Sequence, residues 1–253
     1  MLLEFKTKNY KSFVEEASFS MVAAPKQKGL DYSLMKTKIK GKEIKGLSSS
    51  VIYGPNAAGK TNIIGAMDVL RAIVLRGNIR NSEEKSSPNP AAATLELIPN
   101  NSEMESKPVC FEIEFYEEDG ENHKFKIHYE LEVALGTFLE EEYQRKILAE
   151  VLEVNGERIF ERAEDLKIEN LKVIKDYLSD ITEQNADSVN EIAKNSLNQE
   201  ELFLTNGFKL IFSPKFTKLM VDWFMNKFMV IYRADSMQLI KRFADPKKKS
   251  NLC

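Results

Sequence analysis

The sequence predicts an α/β protein built around a phosphate-binding loop, and three observations support this. A glycine-rich turn over 54–61 joins a short apolar run to an amphipathic helix. Apolar and polar residues alternate through much of 109–163, as they do in antiparallel strands. After Asp165 the apolar spacing changes to that of helices. The predicted fold is therefore a nucleotide-binding unit followed by an antiparallel β-lobe and a helical lid.

The composition narrows the class of protein before any motif is considered. The chain has 253 residues, of which 43% are hydrophobic, and a net charge of -3, so it can form a folded core. Its two cysteines exclude a disulfide framework, and no apolar run approaches the roughly 18 residues that a membrane span needs. The pI of about 5.7 argues against a general nucleic-acid coat. We expect a cytoplasmic protein with no membrane association.

The N-terminal part predicts two strands and then a strand–loop–helix unit. Leu3 and Phe5 alternate with charged residues, and the alternation resumes a few residues later, which indicates a hairpin or meander. The apolar run Val51–Tyr53 predicts a short strand that leads into the glycine-rich turn. The apolar stripe after Thr61 predicts a helix that ends near Gly77.

The remainder of the chain divides by its hydrophobic pattern. Two turn signals, Asp119–Gly120 and Asn155–Gly156, divide the alternating stretch into hairpins. The last predicted helix leads into Phe228–Tyr232, an apolar run typical of a buried parallel strand. The predicted segments are nucleotide-binding strands, loop and first helix over 1–80, a mobile loop over 81–108, the β-lobe over 109–163, a helical subdomain over 164–227, and a return strand with a basic tail over 228–253.

The glycine-rich turn carries the strongest chemical signal in the chain. Gly54–Thr61 matches G-x-x-x-x-G-K-[ST], in which the glycines let the backbone curl so that successive N–H groups point at a phosphate. Lys60 would reach the β- and γ-phosphates, and the Thr61 hydroxyl would coordinate Mg²⁺. The positive end of the following helix adds to anion binding. The predicted nucleotide-binding residues here are Gly54, Pro55, Asn56, Ala57, Ala58, Gly59, Lys60, Thr61 and Asn62.

The rest of the sequence favours ATP over GTP. A guanine-specific fold needs an N-K-x-D motif on a later strand, whereas Asn226–Lys227 is followed by Phe228–Met229. A phosphotransferase with a helical lid stays open as an alternative, because a phosphate loop alone does not separate kinases from ATPases. That alternative needs a base or an arginine pair near the loop, and nothing about Arg71, Arg76 or Arg80 is distinctive.

Two segments resemble a known family. The opening residues 3–13, which contain N-Y-K-S-F, and the segment 51–62 are similar to the ABC-type heads of the RecF/SMC group. They most resemble the AAA-type, RecF-like ATPases of bacterial abortive-infection and phage-defence loci. The later segments 204–208 and 230–235 resemble that family more loosely. The resemblance implies a P-loop NTPase of ABC-head type that binds ATP with Mg²⁺.

Further site residues and partners follow from this resemblance alone. It implies that Asn56 faces the γ-phosphate, and that Lys11 and Ser12, after the first strand, are secondary nucleotide contacts. ATP in such heads is held between two heads that dimerise around two nucleotides, which implies a homodimer. The resemblance also implies coupling to DNA or to an effector protein.

The sequence does not contain the hydrolytic motifs of such heads. Their catalytic strand ends in Asp-Glu, where Asp holds Mg²⁺ and Glu activates water, but here 228–232 is followed by Arg233-Ala234-Asp235. A signature loop and a switch histidine are not found either. We therefore expect an N-terminal portion of a larger ATPase, completed by a C-terminal portion, that binds ATP with negligible hydrolysis. The alternative is a non-catalytic interaction module that docks a nuclease or toxin partner.

Overall fold

A seven-stranded antiparallel sheet, with helices packed on one face, forms the framework of this computed structural model. The structure describes residues 1–25, 29, 31–80, 95, 97–100, 102, 107–136, 144–180, 186–195 and 197–231. The strands are β1 (Leu2–Lys8), β2 (Ala17–Ser20), β3 (Leu34–Ile39), β4 (Lys42–Leu47), β5 (Val109–Glu118), β6 (Lys124–Ala134), β7 (Lys146–Val154), β8 (Glu157–Arg162) and β9 (Leu166–Ile168). The α-helices are α1 (Lys60–Arg76), α2 (Ala186–Asn195) and α3 (Pro214–Asn226). Short 3₁₀ helices span Asp31–Ser33 and Leu171–Tyr177, and a π-helix spans Leu204–Phe212.

The strand order of the main sheet is β2-β1-β5-β6-β7-β8-β9, and β3 with β4 forms a separate hairpin. On β5, every second residue is buried, so one face of the sheet is apolar and the other is charged. The turn Asn155–Gly156 has φ of 55° and 82°, the left-handed pair that a two-residue hairpin needs, which confirms the predicted hairpin. Since Phe5 of β1 pairs with Ile113 of β5, the N-terminal strands and the predicted β-lobe share one sheet.

Helices α1 and α3 cover the apolar face of this sheet. As predicted, α1 ends at Gly77, which has φ 75° and donates its N–H to the Ile73 carbonyl at 2.8 Å. Helix α3 packs through Trp223, whose ring stacks on Phe115 of β5 with 3.9 Å between centroids. The two helices are also joined by Arg71, whose Nε donates to the Phe224 carbonyl at 2.9 Å.

The predicted helical lid lies against the sheet as part of the core. The π-helix and α3 contribute fully buried aromatic side chains, among them Phe208 and Phe216. The 3₁₀ helix before them contributes Ile174, which is also buried. The observed architecture is therefore α/β with an antiparallel sheet, in which these helices form the second layer. No helix among the described residues is both long enough and apolar enough to cross a membrane.

Two predicted strands are wrong. Residues 51–53 form no strand, and Val51 and Tyr53 are 81% and 90% exposed, because no described strand lies beside them to pair with. Residues 228–231 also form no strand: Phe228 is buried against Trp223, but Met229 and Ile231 are exposed. An apolar run becomes a buried strand only when neighbouring strands satisfy its backbone groups.

Parts of two other predictions lie outside the described residues. The predicted mobile loop over 81–108 is described only at 95, 97–100, 102 and 107–108. The basic tail and the end of the predicted return strand, from 232 to 253, are not described at all.

Candidate nucleotide-binding site

The glycine-rich turn is an exposed loop that leads directly into α1. Residues 51–58 are exposed, and the helix begins at Lys60 with Gly59 as its N-cap. Ala57 and Gly59 have φ of 64° and 83°, so the backbone curls through the left-handed region twice within three residues. No side chain caps the helix at Gly59, which leaves this end of α1 suited to an anion.

The loop that follows β1 packs against this turn. A Cβ atom on Gly59 would lie 2.9 Å from Cε1 of Phe13 and 3.1 Å from Oγ of Ser12. Such a short distance to a ring does not occur in real structures, so only glycine fits at position 59. The steric requirement adds to the conformational one, because φ 83° already disfavours any residue with a side chain.

Of the two residues nominated after β1, the structure brings Ser12 to the phosphate loop. The Asn62 side chain donates from Nδ2 to Ser12 Oγ at 2.7 Å, which ties the first turn of α1 to the loop after β1. Lys11 is held elsewhere: its backbone N–H donates to the Ile98 carbonyl at 2.9 Å, and its Nζ lies 5.5 Å from the Tyr10 ring centroid. A nucleotide contact by Lys11 stays a prediction.

Lys60 folds back over its own loop. Its Nζ donates to the Gly54 carbonyl at 2.8 Å and to the Pro55 carbonyl at 2.6 Å. The ammonium group is therefore held beside the curled backbone, where a bound phosphate would offer it stronger, charged acceptors. Thr61, the predicted Mg²⁺ ligand, is exposed at the start of α1, so its hydroxyl is accessible to a metal bound with the nucleotide.

A cavity of about 270 Å³ lies beside the loop. Some of the residues that line it were not predicted as nucleotide contacts from the sequence. Phe13, Phe19 and Tyr53 line it together with Gly59 and Lys60. Phe13 was part of the family-like N-Y-K-S-F element, while the alternating pattern gave Phe19 only the role of a strand residue. Aromatic side chains next to a phosphate-binding lysine can contact the flat base of a nucleotide.

These residues fit a Mg-nucleotide. The uncapped end of α1 and the curled backbone supply N–H groups, Lys60 supplies a cation, and Thr61 supplies an oxygen of the type that Mg²⁺ prefers. When bound, Mg²⁺ would neutralise negative charge on the phosphate groups.

A second group of possible metal ligands lies on the β5–β6 turn. One ligand atom from each of Asp119, Glu121 and His123 lies within 4.8 Å of the others. Asp119 already accepts hydrogen bonds from the backbone N–H groups of Glu121 and His123, both at 2.8 Å, and from the Tyr177 hydroxyl. These hydrogen bonds explain why the three side chains lie together, because they are part of the structure of the turn.

Comparison with known proteins identifies the family of the chain. A family model described as "AAA domain, putative AbiEii toxin, Type IV TA system" matches residues 49–202, a range that begins just before the phosphate loop. No curated protein and no solved structure matches the chain. The match confirms the predicted resemblance to AAA-type ATPases of abortive-infection loci, and its description adds a toxin–antitoxin context. Because it covers more than half of the 253 residues, the chain belongs to this family of AAA domains.

Proposed function

We propose that the chain binds Mg-ATP at residues 54–62, and that bound ATP gates its association with a second head and so its action on an effector or on DNA. The observation that carries the proposal is the geometry of the loop, in which a left-handed Gly59 and an uncapped α1 meet the Lys60 ammonium. Family membership supports an ATPase-type domain with a role in defence.

The cavity next to the loop supports a nucleotide rather than a phosphate alone. Phe13 lies against Gly59, and Phe19 and Tyr53 line the same space. A triphosphate seated on α1 would have its base and sugar within reach of these rings. We propose that these rings stack on the base without selecting one base over another, because every base has a flat face that can stack on an aromatic ring.

The exposed segment before the loop supports association through this face. Val51 and Tyr53 expose most of their apolar surface immediately before the residues that would hold the phosphates. Apolar side chains at such exposure commonly mark a contact surface. We propose that a second copy of the chain, or a C-terminal portion that completes the head, covers this segment when ATP is present.

Calorimetric titration with Mg-ATP tests the binding step. We expect Lys60→Ala to weaken binding at least tenfold, because hydrogen bonds to charged phosphates contribute about 1.5–3 kcal/mol each. Lys215→Ala is the matched control, since Lys215 is exposed on α3 and does not line the loop cavity. Equal affinity of the Lys60→Ala variant and the wild type would refute the proposed site.

Sedimentation velocity tests the gating step. We expect a shift from monomer toward dimer on addition of Mg-ATP, no shift for Lys60→Ala, and a reduced shift for Val51→Ser at saturating ATP. The Val51→Ser variant separates association from nucleotide binding, because Val51 is 81% exposed and does not line the cavity beside the loop. A dimer whose amount is independent of ATP would contradict gating while leaving the binding site intact.

A further inference from the structure

A second cavity lies at the opposite end of α1 from the phosphate loop. Its volume is about 440 Å³, within the usual range of small-molecule sites, and the end of α1, the π-helix and α3 enclose it. We propose that this cavity binds a small organic anion, with a phosphate or carboxylate group carried on an apolar body. Neither the phosphate-loop motif nor the family description assigns a ligand to it.

The charge of the lining indicates the sign of the ligand. Arg76, Lys209 and Lys218 come from three different elements and surround the same space. Among the described residues that line this cavity, none is acidic. Lys209 and Lys218, with no acidic residue among the described lining, create a positive potential that attracts an anion, and the partial enclosure strengthens that attraction.

The walls indicate that the ligand is more than a bare anion. Leu75 of α1 and Val221 of α3 line the cavity and are partly exposed, so part of the lining is aliphatic. An apolar group on the ligand would remove this surface from water, which inorganic phosphate cannot do. The combination of an aliphatic wall and a cationic rim therefore favours an amphiphilic anion.

The cavity depends on a close approach between the π-helix and the end of α1. Thr205 Oγ1 is buried, and a Cβ atom on Gly77 would lie only 2.6 Å from it. Glycine at position 77 therefore lets the two elements pack closely at this side of the cavity.

The element that places Thr205 is unusual in itself. The π-helix carries i→i+5 hydrogen bonds, from Phe208 N to Phe203 O at 2.7 Å and from Ser213 N to Phe208 O at 2.9 Å. Such segments are rare and occur frequently at functional sites, because the wider turn displaces side chains from the positions of an α-helix. Here the π-helix presents Thr205 and Lys209 to the same cavity.

The site is distinct from the phosphate loop. Helix α1 has 17 residues and is therefore about 25 Å long, with Lys60 at its first position and Arg76 at its last. A ligand in this cavity and a nucleotide at the loop would not touch each other. Binding at the two sites can therefore be measured separately.

Calorimetric titration of phenyl phosphate and of benzoate into the full chain tests the proposal, in a Lys60→Ala background that weakens anion binding at the loop. We expect at least one probe to bind, and the double variant Lys209→Gln/Lys218→Gln to weaken that binding at least tenfold. The matched control Lys172→Gln/Lys215→Gln removes two exposed lysines outside the cavity and should leave affinity unchanged. Binding of phenyl phosphate alone or of benzoate alone supports the site and identifies the anionic group.

The thermal unfolding midpoint of the double variant shows whether the fold is kept. Two results would overturn the proposal: no binding of either probe in the Lys60→Ala background, or equal weakening by the control pair.

Discussion

At the scale of one residue, the candidate nucleotide-binding site depends on position 59 being glycine, which has no side chain. Its φ of 83° costs any other residue about 1–2 kcal/mol, and a Cβ atom there would also overlap the Phe13 ring at 2.9 Å. We expect Gly59→Ala to lower the free energy of unfolding by at least this amount and to abolish measurable Mg-ATP binding, because Phe13 or the loop must move.

The control for this variant is Gly156→Ala in the β7–β8 turn. Gly156 has almost the same φ, 82°, but a Cβ atom there would meet nothing within 4 Å. We expect the same cost of about 1–2 kcal/mol from backbone strain, with ATP affinity unchanged. Urea unfolding and calorimetric titration of both variants separate the effect of backbone strain on stability from the effect of the Phe13 overlap on ATP binding. Normal ATP binding by the Gly59→Ala variant would show that the close approach of Phe13 is irrelevant to the site.

At the scale of secondary-structure elements, a buried carboxylate joins the sheet to the π-helix. Glu150 on β7 accepts hydrogen bonds from the backbone N–H groups of Phe203 and Leu204, at 2.7 and 2.9 Å, and from the Tyr129 hydroxyl at 2.9 Å. Burial raises the pKa of this carboxyl group, while Arg162, 3.8 Å away, and the backbone donors oppose that change. The contacts position the start of the π-helix.

We expect Glu150→Gln to destabilise the fold by about 3–5 kcal/mol, because the amide would turn an N–H group toward backbone donors and leave the buried Arg162 charge with backbone carbonyls but no carboxylate. The control is Glu153→Gln on the same strand, which breaks a partly exposed ion pair with Arg158 and should cost about 0–1 kcal/mol. Urea unfolding monitored by Trp223 fluorescence measures both. Similar losses of unfolding free energy in the two variants would mean that Glu150 stabilises the fold no more than a partly exposed carboxylate does.

The charged face of the sheet should make stability depend on pH. His128 on β6 lies 2.6 Å from Glu130 and 3.8 Å from Glu112. Partial burial lowers its pKa, but the hydrogen bond to Glu130 and the nearby carboxylates Glu112 and Glu153 outweigh burial, so the folded-state pKa lies above 6.5. A histidine whose pKa is raised by folding contributes stability that is complete below its unfolded pKa and is lost as pH rises through the folded value.

We therefore expect part of the free energy of unfolding to disappear as the pH rises from about 6.5 through the raised folded-state pKa, and His128→Gln to remove that part. His123, beside Asp119, has a raised pKa for the same kind of reason, so the single His123→Gln variant measures its share separately. Urea unfolding across this pH range gives both contributions. A wild-type pH dependence that survives in His128→Gln would assign the effect to other groups.

At the scale of the whole molecule, sequence patterns predicted structures that depend on neighbouring residues. They did not predict structures that depend on contacts with residues far away in the chain. The hairpin at Asn155–Gly156 and the end of α1 at Gly77 depend on a few neighbouring residues, so the sequence predicted both. Burial of 51–53 depends on strands that the described chain does not provide. The π-helix depends on Glu150, more than fifty residues earlier in the chain, and no periodicity in 204–212 could reveal that contact. At the site, the motif predicted Lys60 and Thr61, while the approach of Ser12 came only from resemblance.

Nucleotide binding and nucleotide hydrolysis should separate in this chain. Hydrolysis needs a carboxylate or another base that activates water near the γ-phosphate, and among the described residues that line the cavity beside the loop none is acidic. We expect Mg-ATP to bind in a Lys60-dependent manner, while phosphate release stays at the level of the Lys60→Ala variant. Calorimetry and a phosphate-release assay on the same preparation measure the two steps. Phosphate release that exceeds this background and disappears in Lys60→Ala would show that the chain supplies its own base, which would then have to come from residues beyond those that line this cavity.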